Sequence, residues 1–159
     1  MMPPTVIDCR RTGTFNRTFT LTYEGQAITL LSYAASPAWD ITIGEARYQV
    51  VQEGLMRLRW RMRRGSADIM TADEVKPRLE VAIASPSGPL GLERVPVLFV
   101  STIDLVRGQK VVARIAPKAF FSGGIRVSVS EAGLPAETLA FAICLAENMW
   151  RSGQSFFRS

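Results

Sequence analysis

Histidine is absent from the chain. That removes Ser-His-Asp and Cys-His catalysis, the commonest general base, and most transition-metal sites. Cysteine is scarce. Cys9 and Cys144 lie far apart, neither in a metal-ligand spacing, and Cys144 falls inside an apolar helical run. A thiol there packs as a small hydrophobe, so a reducing, cytoplasmic compartment is expected rather than a secreted disulfide framework. A Gly-rich phosphate loop is also missing: Gly123-Gly124 reads as a turn, and Gly88-Pro89-Leu90-Gly91 lacks the lysine and the following helix. Met1-Met2-Pro3-Pro4 carries no charged region ahead of an apolar stretch, so no signal peptide is read there. Asp68, Asp73 and Glu74 form the densest acidic cluster, without calcium-loop spacing, and read as a solvated turn. No enzyme, no cofactor and no metal is expected from this inventory.

What is present fits one globular domain, residues 1–159, with a core over about 15–153 and short flexible termini. Hydrophobic residues at 47% and charged ones at 21% belong to a folded chain, not a disordered one. The net charge of +5 permits an acidic partner: nucleic acid, an anionic lipid surface or an anionic protein.

Most of the chain alternates with a period of two. Strands are expected over residues 19–23, 28–33, 39–43, 46–51, 56–64, 67–70, 79–84, 97–106, 110–115 and 125–129. Glu24-Gly25, Gly44-Glu45, Pro86-Ser87-Gly88-Pro89 and Arg107-Gly108-Gln109 mark turns. About eleven short strands with hairpin-length connections suggest an antiparallel sandwich or barrel. The cleanest alternation puts Met56, Leu58, Trp60 and Met62 on one face and Arg57, Arg59, Arg61 and Arg63 on the other. Apolar matching across a Gln52-Glu53-Gly54 loop sets Val50 against Met56 and Tyr48 against Leu58, which places Arg47 across from Arg59.

Near the C-terminus the period changes. Pro135 at the first helical position and Glu137 in the first turn open a helix, and Arg151 and Gly153 close it. Leu139, Ile143 and Trp150 form one bulky ridge; Phe141, Leu145 and Met149 form a second. The apolar arc is roughly twice that of a surface helix, so the segment needs cover on most sides. Lipid could supply it, but a span needs about 20 apolar residues and an acid at its centre costs about 3 kcal/mol. This run is shorter and meets Glu147, so a core helix wrapped by the sheet is favoured.

Ile41-Thr42-Ile43-Gly44 followed by Arg47-Tyr48-Gln49-Val50, then Val111 to Pro117, then Leu134-Pro135 through Met149-Trp150-Arg151, resemble the early hairpins, a late strand and the terminal helix of the tubby-like superfamily. That superfamily includes the LURP-one-related proteins and the phospholipid scramblases. The resemblance extends from Phe19 to Gly153 and is one of order and type. It implies a mostly β, closed antiparallel barrel of about 11–12 strands around one buried hydrophobic C-terminal helix. Tubby domains bind phosphoinositides and scramblases are associated with lipid movement. No site residue carries over, because no phosphoinositide-binding position has a counterpart here.

The arginine row is the one surface feature with chemical reach. Alternate strand residues put Arg57 to Arg63 along about 20 Å of one face. Arg47 and Arg64 could extend it, and arginine's planar fork suits phosphate. Like charges opposite each other destabilise a sheet, so Arg47 against Arg59 calls for an anion, solvent, or acids such as Glu80 or Asp68. The functional expectation is a non-enzymatic binding or interaction module, peripheral at a membrane, touching anionic lipid headgroups through Arg47, Arg57, Arg59, Arg61 and Arg63. Nucleic acid is a weaker alternative, since no aromatics interleave the cations. A membrane anchor over residues 135–151 is a third. The pairs Phe120-Phe121 and Phe156-Phe157 could cap a barrel mouth or form a tail.

Overall fold

The structure, a computed structural model, describes residues 4–13, 16–33, 36–97, 100–118 and 123–156. Twelve strands run in chain order: β1 Thr5–Thr12, β2 Asn16–Tyr23, β3 Gln26–Tyr33, β4 Trp39–Ile43, β5 Ala46–Glu53 and β6 Arg59–Arg64, then β7 Ala67–Lys76, β8 Glu80–Ser85, β9 Gly88–Val97, β10 Val100–Arg107, β11 Lys110–Pro117 and β12 Ile125–Val129. Each pairs antiparallel with its chain neighbours, and β1 pairs with β12 to close the barrel. Closure leaves no open edge. The Glu24-Gly25 hairpin shows how the turns are made: both residues have positive φ (49° and 77°), as a two-residue loop joining right-twisted strands requires.

Inward residues at alternate positions form the core, as Trp39, Ile41 and Ile43 do on β4 and Val81 and Ile83 on β8. The single helix α1, Ala136–Phe156, runs along the inside. Every residue from Thr138 to Met149 is buried, so the wall covers the helix all round. Its entry is marked by the Tyr23 hydroxyl donating to the Leu134 carbonyl at 2.7 Å and that of Tyr48 donating to Glu137 at 3.1 Å. Its exit is marked by Trp39 on Asn148 and by the Trp150 indole on the Ser101 carbonyl at 3.1 Å. No helix among the described residues is long and apolar enough to cross a membrane. The coat around residues 138–149 is protein.

Several expectations need correction. The wall begins earlier than residue 15, with β1 at Thr5. An unanticipated β9 opens at Gly88, inside the expected turn, and ends at Val97, where a single strand over 97–106 was expected. The helix runs past Gly153 to Phe156; glycine inside a helix costs about 1 kcal/mol relative to alanine and does not by itself end one. Phe120, Phe121 and Phe157 lie outside the described residues.

The β5–β6 register also differs. Val50 pairs with Met62, Gln52 with Trp60 and Glu53 with Arg59, so the loop covers residues 54–58 and β6 starts at Arg59. Met56 is therefore not a core residue; it stands 97% exposed. Trp60 and Met62 do face inward. Matching apolar pairs near the turn misjudged the loop because the longer loop lets Glu53 pair with Arg59 instead of leaving it beside Arg47.

Candidate anion-binding surfaces

The arginine row exists on the outer wall, yet acids are interleaved with it. Arg59 meets Asp73 across the sheet, with Nε to Oδ1 at 2.7 Å. Arg61 lies 2.9 Å from Glu53 and 3.2 Å from Asp68, and Arg63 lies 3.1 Å from Asp68. A register shift places Asp68 there. Met62 pairs with Met70 but Arg63 pairs with Asp68, so β7 carries one extra residue. Such a bulge re-aims the side chains beyond it. Of the two acids expected to balance the row, Asp68 does so; Glu80 instead lies 3.8 Å from Lys76.

Arg47 is not opposite Arg59. Its partner on β4 is Thr42, and Arg59 sits between Glu53 and Asp73. Arg57 belongs to the β5–β6 loop, not to a strand. Arg47 and Arg63 border a half-open hollow of about 490 Å³ with Asp40, Thr42 and Gln49. The five candidate residues are thus spread over a loop, three neutralised rungs and a hollow. They do not form one cationic stripe.

The stronger concentration of positive charge lies elsewhere, towards the end where α1 terminates. Barrel closure brings the end of β1 beside the start of β12, and β2 and β11 flank them. Six cations (Arg10, Arg11, Arg17, Lys118, Arg126 and Arg151) meet two carboxylates there (Asp8 and Glu147), with Arg114 and Asp104 further along the wall. Arg114 is engaged by Asp104 at 2.8 Å. Asp8 is shared between Lys118 at 3.3 Å and Arg126 at 3.5 Å; the Lys118 hydrogen bond, aided by Arg126, holds its carboxyl below the usual range.

At the rim, Arg17 pairs with Glu147 on the helix. The Arg151 guanidinium sits 5.3 Å over the Trp39 ring and donates to Asn148 at 2.7 Å. Burial, and then the nearby Arg17, push its pKa down. Arg11 lies across Gly123: a Cβ on that glycine would come within 2.7 Å of the arginine's Cδ. Arg10 and Arg11 are exposed and form no ion pair among the described residues.

The sequence carried no local signal for this cluster, because its members come from opposite ends of the chain. Glu24, Glu45, Glu131 and Glu137 balance Arg47, Arg64, Arg107 and Lys110 at the far end of the barrel, so the excess is one-sided. Both cysteines are buried; burial pushes the Cys9 thiol up to about 12 and the Cys144 thiol well above its ordinary value. Among the described residues no group of three acidic or cysteine side chains gathers to hold a metal. No family model, no curated protein and no solved structure matches this chain.

Proposed function

We propose that the barrel is a non-enzymatic binding module that rests on anionic phospholipid headgroups with its helix-terminating end. One observation carries this: Arg10, Arg11, Arg17, Lys118, Arg126 and Arg151 converge there with only Asp8 and Glu147 among them. Guanidinium groups match phosphate oxygens in pairs. A juxtamembrane cation contributes about 1 kcal/mol at an anionic leaflet. Free, buried thiols and a preference for acidic lipid go with a cytoplasmic location, peripheral at the membrane. The barrel closed around its own helix is also the plan that kinship with tubby-like proteins would entail.

The original arginine row has a lesser part in this proposal. Arg57 and Arg59 lie at the same end of the barrel, while Arg61 and Arg63 are offset by Glu53 and Asp68. Arg47 lies towards the opposite end.

Co-sedimentation with vesicles of phosphatidylcholine, with and without phosphatidylserine, tests the proposal. The protein should pellet only with the acidic vesicles, and less so as salt rises. Arg10→Ala/Arg11→Ala should lower partitioning roughly thirtyfold, from two lost cations at about 1 kcal/mol each. Arg47→Ala/Arg63→Ala, away from that end, should stay near wild type. Equal pelleting with both vesicle types would overturn the proposal. So would retention on DNA without any vesicle binding.

A further inference from the structure

Six large apolar residues are exposed on the described surface: Val6, Tyr33, Leu55, Met56, Val75 and Leu79. All but Val6 lie at the end of the barrel where α1 terminates. Leu55 and Met56 are 100% and 97% exposed, at the tip of the β5–β6 loop. Leu79 stands half exposed in the neighbouring β7–β8 loop, and Val75 just before it. Single exposed apolar residues are ordinary, but a cluster confined to one end marks a contact surface.

The tips are braced. Gly54 has a φ of 93°, and the Arg57 carbonyl oxygen lies 2.2 Å from where a Cβ would be, so the loop is tightly wound back on itself. The Glu74 amide donates to the Leu58 carbonyl at 3.0 Å, fixing the loop's exit to β7. In the adjoining loop the Leu79 amide donates to Lys76 at 3.0 Å, and the Leu79 carbonyl accepts from Arg94 at 2.9 Å. Leu58 turns inward against the core, whereas Leu55 and Met56 are left outside.

We infer that Leu55 and Met56 insert into the hydrocarbon of the bilayer, with Leu79 beside them, so that the barrel docks end-on. This rests on the proposed binding to anionic lipid. β1 and β7 stand six strands apart in a ring of twelve, on opposite walls. The cationic rim and the apolar tips therefore lie on either side of one mouth, and only an end-on approach brings both to the same plane. Charge on the tip side is nearly balanced, since Arg57, Arg59, Lys76 and Arg78 stand with Asp73, Glu74 and Glu80, so the larger share of its contact is apolar. Arg57 and Lys76 have stems long enough to keep their charges at headgroup depth. A protein partner would need about 800 Å² on each side, more than the few exposed apolar side chains of these two short loops supply. A membrane interface needs only apolar area and attraction to acidic lipid.

Met56→Cys labelled with a polarity-sensitive dye tests the inference, because both native cysteines are buried and leave the new thiol as the accessible one. Ala132→Cys, exposed at the opposite end, is the control. With phosphatidylcholine–phosphatidylserine vesicles the label at 56 should shift to the blue and be quenched by acyl-chain quenchers, and the label at 132 should not. In the unlabelled protein, Leu55→Ser/Met56→Ser should lower partitioning roughly tenfold or more while the salt dependence persists. If the protein pellets with acidic vesicles but the label at 56 stays in water and the double serine variant binds like wild type, insertion is overturned and headgroup binding stands. If nothing pellets, headgroup binding fails and insertion fails with it.

Discussion

The indole Nε1 of Trp39 donates to Oδ1 of Asn148 at 3.0 Å, joining the first residue of β4 to the last buried turn of the helix. Both residues are buried, and the asparagine's amide nitrogen also donates to the Pro37 carbonyl at 3.0 Å. Phe19 lies on one side of the indole at 6.1 Å, and Arg151 lies over it. A buried polar residue of the helix is thus tied to the start of β4 and to the connection before it, which fixes the axial position of the helix.

Asn148→Leu is accordingly expected to destabilise the protein by about 1–3 kcal/mol, because it leaves the Trp39 N–H buried without an acceptor. Trp39→Phe should cost less through that bond, since Asn148 would still accept from Arg151. Urea midpoints with unchanged slopes would measure both. A leucine variant as stable as wild type would show that the bond does not hold the helix.

The two kinds of ion pair should differ in strength. Arg59 and Asp73 have side chains 50% and 43% exposed, whereas Arg17 and Glu147 are 25% and 12% exposed. Exposed pairs contribute about 0.2–1 kcal/mol, and breaking a desolvated one strands its partner at several times that cost. Double-mutant cycles are expected to give a coupling for Arg17–Glu147 at least twice that for Arg59–Asp73. Equal couplings would mean that water screens the rim as well as it screens the wall.

The contrast shows where sequence periodicity is informative. Alternation marked β2 to β6 because their inward residues are large and apolar. It missed β1, whose inward Ile7 and Cys9 are surrounded by Asp8, Arg10 and Arg11. It missed β9 because Pro89, Gly91 and Pro96 read as breakers. The helix was legible for a different reason: apolar residues around most of its circumference leave it no stable exposed face. The arginine row was legible as a row, but its charge was not. The acids that offset it depend on a register and a bulge set across strands, and the cationic rim depends on the pairing of β1 with β12, the longest-range contact in the wall.

Acid should loosen the opposite end of the barrel. Arg107 donates to Glu131 at 2.9 Å and 3.0 Å, and also to the Ser87 carbonyl at 2.9 Å, so it clamps the β8–β9 turn to the segment leading into the helix. The Arg107 hydrogen bond holds the Glu131 carboxyl below its ordinary value, outweighing partial burial. A carboxyl whose pKa is lower in the folded protein than in the unfolded chain stabilises the fold fully above the unfolded value, and the benefit disappears as the pH falls through the folded one. Both side chains keep some exposure (31% and 22%), so the contribution is expected to be about 1 kcal/mol or less. Glu131→Gln should therefore be less stable than wild type at neutral pH, and the two should converge in the acid range below the ordinary carboxylate value. A stability difference that stays constant across that range would show that the clamp works through hydrogen-bond geometry and not through the charge on Glu131.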